Sequence, residues 1–315
     1  MNETKTVSST FHLANRLANI QLEVKCAGNI IPFEKSPKYL GVTLDRTLTY
    51  KQHLQQVRAK VEARNCLIHR LCGTSWGASF PVLRTATLAL AYSTAEYCAP
   101  IWCKSTHTSK LDTALNHSMR IVSGCIKSTP TSYLPILSGI PPPAIRREAA
   151  CLNLAQRAQR RASHLLHHDI NSNDPPPRLP SREPISARLR GLLHEANGQP
   201  PGSWTITQWT KQWGQANTKL HGYIETPSTR PAGHNLNRKS WVRLNRCRTG
   251  HGRFRANIMH RMNLCVAPDC PCGAPEQTAD HIINDCTKYQ CPGLQALSTL
   301  NSEALAWLED TSLVI

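Results

Sequence analysis

The stretch Lys51-Gln-His-Leu-Gln-Gln-Val-Arg-Ala-Lys-Val-Glu-Ala-Arg-Asn-Cys-Leu-Ile-His-Arg-Leu71 sets the fold class of this chain. Polar and basic residues separate its apolar positions, and Gly73 supplies a stop shortly after it. The apolar residues recur at the spacing of one helical face: Leu54, Val57, Val61, Ile68 and Leu71. The stretch therefore predicts a long amphipathic helix.

Three more helices are predicted downstream. One starts near Ser79 and runs to about Tyr97; it is apolar nearly all round, so we expect it at the buried centre of a small bundle. Another spans roughly 108–123, and a basic one runs from Ala144 to about His167. The helix over 108–123 should direct four apolar side chains into the core: Leu111, Leu115, Met119 and Val122.

Strand patterns precede these helices. Residues 20–33 alternate apolar and polar side chains on both sides of Gly28-Asn29, which predicts a β-hairpin. Residues 39–44 read as a third strand. The predicted fold class is mainly α, with a small N-terminal β-hairpin or sheet, a helical bundle and a small C-terminal unit.

Residues 169–203 change character. They hold seven prolines and few large apolar residues, apart from a helical patch at Ala187–Ala196, which favours a linker. A smaller unit follows, with apolar bulk from four tryptophans: Trp204, Trp209, Trp213 and Trp241.

The charge balance points to a polyanionic partner. The 315 residues include 37 Lys and Arg against 20 Asp and Glu, a net charge of +17. Nucleic acid fits this excess better than an anionic membrane, because no run of eighteen apolar residues occurs. The polar residues after Met1 disfavour a secretory signal, so disulfides are not expected among the 13 cysteines. Those that lie singly in apolar segments are expected to be buried thiols: Cys66, Cys72, Cys98, Cys125 and Cys151.

The acidic residues exclude several enzyme classes. Asp and Glu are scattered, and only Glu309 and Asp310 are adjacent. Two-metal polymerases and nucleases need several converging carboxylates, and the sequence has no Walker loop, Rossmann fingerprint, His-Glu-x-x-His or Gly-x-Ser-x-Gly motif. The chain alone therefore reads as a nucleic-acid-binding part and not as a complete enzyme.

One cluster is spaced like metal ligands. Cys270, Cys272, His281 and Cys286 form a Cys-x-Cys-x8-His-x4-Cys pattern, and thiolates with imidazole are the natural set for tetrahedral zinc. The His-x4-Cys half matches the end of a zinc knuckle, so the C-terminal unit is expected to be zinc-knuckle-like. The alternative is a surface histidine beside incidental cysteines. A single residue separates Cys270 from Cys272, whereas zinc-ligand pairs are usually separated by about two to four residues. Cys265 or Cys291 could therefore replace one of the ligands.

A basic stripe precedes the cluster. No acidic residue occurs between Thr226 and Pro268. Trp241 and Phe254 lie within the stripe, so it suits phosphate binding with base stacking; the alternative is a solvated basic face with Trp241 in the core. Nine cations lie there, of which Arg243, Arg246, Arg248, Arg253 and Arg255 are the candidate nucleic-acid contacts; the others are Arg230, Arg238, Lys239 and Arg261.

Two segments together resemble the C-terminal part of a reverse transcriptase from non-LTR retrotransposons of the jockey-like LINE group. In the first, 33–54, the core Tyr39-Leu-Gly-Val-Thr-Leu-Asp45 is similar to the primer-grip hairpin at the palm–thumb border. The second runs from Trp241-Val-Arg-Leu-Asn-Arg-Cys-Arg-Thr-Gly-His-Gly-Arg253 through the Cys/His pattern, including Glu276-Gln-Thr278. The residues between them resemble the family's thumb and connection.

The resemblance implies a division of the chain. Residues 1–48 would be the C-terminal edge of the palm with the primer-grip hairpin, and 49–168 the helical thumb and connection. Residues 169–203 would be the proline-rich linker, and 204–315 the basic C-terminal domain with the zinc-like motif.

The resemblance also implies what is missing. Asn2-Glu-Thr-Lys-Thr6 resembles the motif D turn, which follows the paired palm aspartates in the family, and Lys5 would match its lysine. The fingers, most of the palm and the magnesium-binding carboxylates are therefore expected to be absent, to be supplied in cis or in trans. Polymerase activity of this chain alone is expected to be absent, and magnesium would serve only the full-length parent.

Roles follow by the same resemblance. Tyr39, Leu40 and Gly41 would help position a primer end. The first long helix would track duplex phosphates through three cations: Lys51, Arg58 and Lys60. The expected partners are RNA and DNA, in the nucleus with a cytoplasmic phase. The alternatives are a stand-alone nucleic-acid-binding protein domesticated from such an element and a non-functional relic that aggregates.

Overall fold

The computed structural model describes residues 6–26, 28–172, 184–259 and 262–313. The described chain is mainly α-helical, with two small antiparallel sheets, which confirms the coarse fold class. The α-helices are α1 (Asn15–Ala18), α2 (Lys51–His69), α3 (Phe80–Ala86), α4 (Ser93–Ala95), α5 (Ala99–Trp102), α6 (Thr108–Ser123), α7 (Leu134–Ser138), α8 (Pro143–Arg160), α9 (His167–Asn171), α10 (Ile185–Ala196), α11 (Pro201–Gly214), α12 (Arg238–Thr249), α13 (Ala279–Asn284), α14 (Gly293–Thr299) and α15 (Ser302–Asp310).

Two short hairpins lie near the N-terminus. Strands β1 (Lys25–Cys26) and β2 (Asn29–Ile30) pair antiparallel, which confirms the hairpin predicted within 20–33. The single strand predicted over 39–44 is wrong. That segment contributes to two strands, β3 (Lys38–Tyr39) and β4 (Val42–Thr43), which pair through a two-residue turn. Both turn residues have positive φ, 45° at Leu40 and 86° at Gly41, which is the type I′ geometry.

The side chain of Tyr97 braces this turn. Its hydroxyl donates to the carbonyl oxygen of Leu40 at 2.9 Å, and a Cβ placed on Gly41 would lie 3.1 Å from Cε1 of the Tyr97 ring. Gly41 therefore meets two demands, a positive φ and a close approach of the ring.

We predict that Gly41→Ala destabilises the chain more than Gly28→Ala. Both glycines have nearly equal φ, 86° and 87°, but the space around Gly28 is open. Each alanine should cost about 1–2 kcal/mol for the left-handed backbone, and the Tyr97 contact should add about 1 kcal/mol at Gly41 only. Urea unfolding of the two variants would measure the difference; equal losses would contradict the bracing role of Tyr97.

The predicted helices form, with two corrections. Helix α6 matches the predicted bounds, and its four predicted inward residues are all buried. The helix from Phe80 passes into a π-helical segment at Thr87–Tyr92, and Val82 and Leu90 on it are exposed, so it is not buried all round. Helix α8 ends at Arg160 and not near His167. None of the described helices combines the length and apolarity that crossing a bilayer requires.

The chain divides into two compact units. The first comprises Met1–Val61, Thr94–Ala114 and Pro143–Thr205. In it, α8 buries Leu152 and Ala155, while α10 buries Leu189 and Leu192. Arg188 on α10 forms an ion pair with Glu148 on α8. The second half of the predicted linker therefore contains a helix that packs on α8, and residues 173–183 lie outside the described chain.

Two arginines of α8 are paired within the same unit. Arg146 forms two hydrogen bonds with the Glu96 carboxylate, at 2.5 and 2.8 Å, and Arg147 is paired with Asp112. These contacts neutralise part of the basic helix that the sequence predicted.

The second unit comprises Glu62–Ser93, Leu115–Pro142 and Ile206–Ile315. Its core includes Trp209, Trp213 and Trp241, and the ring of Trp241 meets Phe80 edge-on with centroids 5.0 Å apart. Trp204 is also buried, but it lies in the first unit, so the prediction that all four tryptophans supply the bulk of one C-terminal unit is wrong for Trp204. Cys72, Cys125 and Cys151 are buried as expected, whereas Cys66 is exposed and Cys98 is half-buried.

Candidate functional site

One face of α12 caps the C-terminal end of α6. The last carbonyls of a helix have no partner within it. Arg238 donates to the carbonyls of Ile121 and Val122, at 2.9 and 3.0 Å, and to Gly73 at 3.0 Å. Further along α12, three more side chains donate to carbonyls at or just beyond the same helix end: Trp241 shares Val122 with Arg238, Asn245 donates to Ser123 and Arg246 to Gly124.

Another face of α12 serves the end of α15. Arg243 donates to the carbonyl oxygens of Leu308 and Thr311, at 2.8 and 2.7 Å. The Lys239 side chain donates to the backbone carbonyl of Glu309 at 3.0 Å, and the Ser240 hydroxyl donates to the backbone carbonyl of Leu308. Cations are favourable at both places, because the C-terminal end of a helix carries partial negative charge.

Most of the α12 cations are thus directed into the protein. Arg246 and Arg248 are buried, and burial lowers the pKa of each guanidinium to about 10, so both stay charged at neutral pH. Phosphate binding by Arg243 or Arg246 would require their bonds to backbone carbonyls to break. Trp241 and Phe254 are fully buried, so the prediction that these rings stack on bases is wrong. Trp241 lies in the core, as the alternative reading of the stripe had it.

The other cations of the basic stripe are more accessible. Arg230 and Arg253 are exposed. Arg255 is half-buried; it donates to the carbonyl of Asp269 at 3.2 Å and lies 3.8 Å from the carboxylate of the same residue. Arg261 lies outside the described residues. Of the candidate contacts on the stripe, Arg253 is the one with an exposed side chain.

A tight loop presents the first two cysteines of the Cys/His cluster. The backbone N–H of Cys270 donates to the carbonyl of Ala274, and that of Gly273 donates to the carbonyl of Cys270, both at 2.8 Å. Gly273 has a φ of 96°, which glycine adopts without strain, so it permits the chain reversal after Cys272.

A short helix presents the histidine. Thr278 caps α13, because its hydroxyl oxygen accepts the backbone N–H of His281 at 3.1 Å. Ile282 and Ile283 are buried and fix the helix, and Cys286 follows two residues after its end. The sequence did not indicate a role for Gln277 at this cluster. Its side-chain amide nitrogen lies 3.9 Å from the Cys270 sulfur, and its side-chain amide oxygen accepts the backbone N–H of Arg255.

The four predicted ligand atoms converge. The three sulfurs of Cys270, Cys272 and Cys286 and a ring nitrogen of His281 all lie within 4.8 Å of one another. The sulfurs of Cys270 and Cys286 are 3.7 Å apart, and Nε2 of His281 is 3.2 Å from the Cys272 sulfur. In tetrahedral zinc sites with Zn–S bonds of about 2.3 Å, sulfurs lie about 3.8 Å apart. The spacing therefore fits one metal ion.

The alternative ligands do not join this group. The Cys265 thiol is directed at the carbonyls of Ala267 and Arg255, at 3.3 and 3.8 Å. Neither Cys265 nor Cys291 belongs to the metal-competent group, which is the one such group among the described residues.

The local backbone prepares one thiol for deprotonation. A hydrogen bond from the backbone of Ala274 lowers the pKa of the Cys272 thiol to about 7, whereas burial raises the pKa of Cys270 to about 11. Metal binding displaces thiol protons, so a metal would hold both sulfurs as thiolates.

The first unit carries the other predicted contacts. Tyr39 and Leu40 at the β3–β4 turn are 67% and 72% exposed. The hairpin is docked on α2, since the Thr43 hydroxyl donates to Gln56 at 3.1 Å and the Thr43 backbone N–H donates to His53 at 3.4 Å. On α2 the side chains of Lys51 and Lys60 are exposed, and Arg58 is half-buried.

An aspartate organises the loop that joins the hairpin to α2. The Asp45 carboxylate accepts the backbone N–H groups of Thr49 and Tyr50 and the hydroxyls of Thr47 and Thr49. Burial would raise the pKa of Asp45, but these hydrogen bonds hold it below its ordinary value. The hairpin turn and the start of α2 are therefore held in a fixed local arrangement.

The chain is similar to three retrotransposon proteins. It is 24% identical over 276 residues to the putative 115 kDa protein in the type-1 retrotransposable element R1DM of Drosophila melanogaster. It is 23% identical over 275 residues to a retrovirus-related Pol polyprotein from the type-1 retrotransposable element R1 4 of Nasonia vitripennis. The chain is related to the Pol polyproteins of R1 non-LTR retrotransposons. A third relative, the R1 Pol polyprotein of Bradysia coprophila, is 22% identical over 307 residues.

These R1 matches span most of this chain and a smaller part of the relatives. They cover 84%, 85% and 88% of this chain, but 25%, 64% and 26% of the respective R1 proteins. No protein-family model matches the chain, and no solved structure matches it. The predicted relation to a non-LTR retrotransposon polyprotein is thus confirmed, while the jockey-like subgroup stays a prediction.

Proposed function

We propose that this chain is a nucleic-acid-holding region from the C-terminal part of a non-LTR retrotransposon reverse transcriptase. The observation that carries the proposal is the closed Cys3His group in a chain of net charge +17 that is related to R1 polyproteins. Its partners would be RNA and DNA, such as element RNA and a primer–template. The proposal also includes nuclear residence with a cytoplasmic phase.

The metal of the proposal is zinc. Three cysteine sulfurs and one imidazole favour zinc over magnesium or calcium, which prefer oxygen ligands. Four protein ligands leave no open position, so the ion would be structural. It would tie the 270–274 loop to α13 and Cys286, a part of the chain with few large buried side chains of its own.

The primer-contacting part of the proposal rests on the β3–β4 hairpin. Exposed Tyr39 and Leu40 offer a ring and an aliphatic side chain at a turn that Tyr97 braces and that β4 attaches to α2. Such a projection suits contact with the sugar and base of a strand end, while the α2 cations suit its phosphates.

We predict that the triple variant Lys51→Gln, Arg58→Gln, Lys60→Gln binds a primer–template duplex at least about 10-fold more weakly at 0.1 M salt. Each lost phosphate contact should flatten the slope of log K against log salt by about 0.9, so the slope should fall by about 2–3. Fluorescence anisotropy across a salt series would measure both quantities.

The matched control removes the same charge elsewhere. Lys127, Lys211 and Lys288 are exposed and lie outside the proposed surface, so their glutamine variant should keep most of the affinity and the slope. Equal losses in the two triple variants would contradict a defined surface on α2 and would indicate that only the net charge matters.

A further inference from the structure

A cavity of about 610 Å³ lies within the second unit, apart from the metal ligands. Its lining includes Arg248 and His251 from the end of α12 and the turn after it, Tyr133 and Tyr223, and the ion-paired Lys219 and Asp280. This volume is within the range of pockets that bind small molecules.

Arg248 differs from the other arginines of α12. It is 2% exposed, and its Nη1 donates to the carbonyl of Ala232 at 3.0 Å, but its Nε and Nη2 have no hydrogen-bond partner in the described structure. The Nδ1 atom of His251 on the same cavity is also buried and unpartnered. Arg238, by contrast, uses all three of its guanidinium nitrogens.

A buried guanidinium without a counter-ion is unfavourable. Desolvation of a charge is costly unless an opposite charge or hydrogen bonds compensate for it. Among the described residues that line the cavity, Asp280 carries the one carboxylate, and it is engaged with Nζ of Lys219 at 2.9 Å. The cavity wall therefore includes a buried guanidinium with two unused donors, and it carries a net positive charge, which suits an oxyanion.

We propose that this cavity binds one nucleotide unit, with its phosphate on the guanidinium of Arg248 and its base beside Tyr133 or Tyr223. Guanidinium forks match phosphate oxygens, and tyrosine rings offer stacking surfaces to any base. The same chemistry serves a free nucleotide and the end of a single strand. The inference deepens the proposed nucleic-acid-binding function and rests on it.

Calorimetric titration of the full chain with adenosine 5′-monophosphate and with adenosine tests the proposal. The monophosphate should bind at least about 10-fold more tightly, and Arg248→Met should erase that preference. Arg16→Met removes the same charge from an exposed site of the first unit and should leave the preference intact. Equal binding of the two ligands by the wild-type chain, or an unchanged preference in Arg248→Met, would overturn the proposal. So would inorganic phosphate that competes as strongly as the monophosphate.

Stability gives a second readout. Because Arg248 makes one hydrogen bond and carries an uncompensated charge, Arg248→Met should leave the melting temperature unchanged or raise it. A fall as large as that of Arg238→Met would assign the guanidinium a structural role and overturn the proposal.

Titration with a single-stranded decanucleotide at low salt separates this inference from the proposed function. Failure of the wild-type chain to bind the strand would contradict the proposed function itself. Strand binding without a preference for the monophosphate over adenosine would contradict only the cavity assignment.

Discussion

Replacing Cys286 by serine is expected to abolish stoichiometric zinc binding and to destabilise the second unit. The Cys286 sulfur lies 3.7 Å from that of Cys270 and is one of four ligand atoms in a closed group. At a free zinc concentration 1,000-fold above the Kd, bound zinc contributes about 4 kcal/mol to the free energy of unfolding, and the variant should lose it. Zinc content per chain and the zinc dependence of the melting temperature would measure both effects.

Cys265→Ser and Cys291→Ser are the matched controls for this loss. Both cysteines lie close to the cluster in sequence, but neither belongs to the group of four. Each variant should keep one zinc ion per chain and its zinc-dependent stability. Loss of zinc from either control, or its retention in Cys286→Ser, would show that the ligand set is wrong.

Arg238→Met is expected to lower the free energy of unfolding by about 3–5 kcal/mol. The guanidinium donates to three carbonyls, of Gly73, Ile121 and Val122, and an unsatisfied buried acceptor costs about 1–3 kcal/mol. Val122 keeps a partner in the indole of Trp241, which limits the loss. Urea unfolding of the wild-type chain and the variant would measure the change.

Lys239→Met is the control on the next residue of the same helix. Lys239 makes one solvent-accessible hydrogen bond, to the backbone carbonyl of Glu309, so its replacement should lower the free energy of unfolding by less than about 1 kcal/mol. A loss at Arg238 no larger than that at Lys239 would mean that the cap on α6 contributes little to stability.

Local patterns were enough to predict much of this fold. The apolar spacing on α6 identified Leu111, Leu115, Met119 and Val122 as buried, because a regular helix fixes which side chains share a face. The spacing of cysteines and histidine identified the metal-competent group, because thiol and imidazole side chains converge for few other reasons.

The rest depended on contacts between distant segments. Nine cations without a neighbouring acid suggested a phosphate-binding stripe. In the structure, Arg238, Arg243 and Arg246 instead donate to backbone carbonyls at the ends of α6 and α15. Those acceptors are main-chain atoms far away in sequence, so no residue pattern marks them.

The residue pattern alone did not predict the β3–β4 turn, although the resemblance to a primer-grip hairpin implied one. Leucine rarely adopts a positive φ, so nothing local to residues 39–44 marks a turn at Leu40, whose φ is 45°. Tyr97 lies far from the hairpin in sequence, so no local pattern reveals its contribution. Its hydroxyl donates to the carbonyl oxygen of Leu40 and holds the turn.

The salt dependence of nucleic-acid binding by the full, zinc-loaded chain tests whether the chain holds RNA and DNA through their phosphates. Anisotropy titrations of a labelled single strand and a primer–template duplex would be run from 50 to about 300 mM salt, before and after chelation of the metal. We expect binding that weakens by at least about 100-fold over this range and that weakens further after chelation. Binding that is absent at 50 mM salt, or that is indifferent to salt, would contradict it.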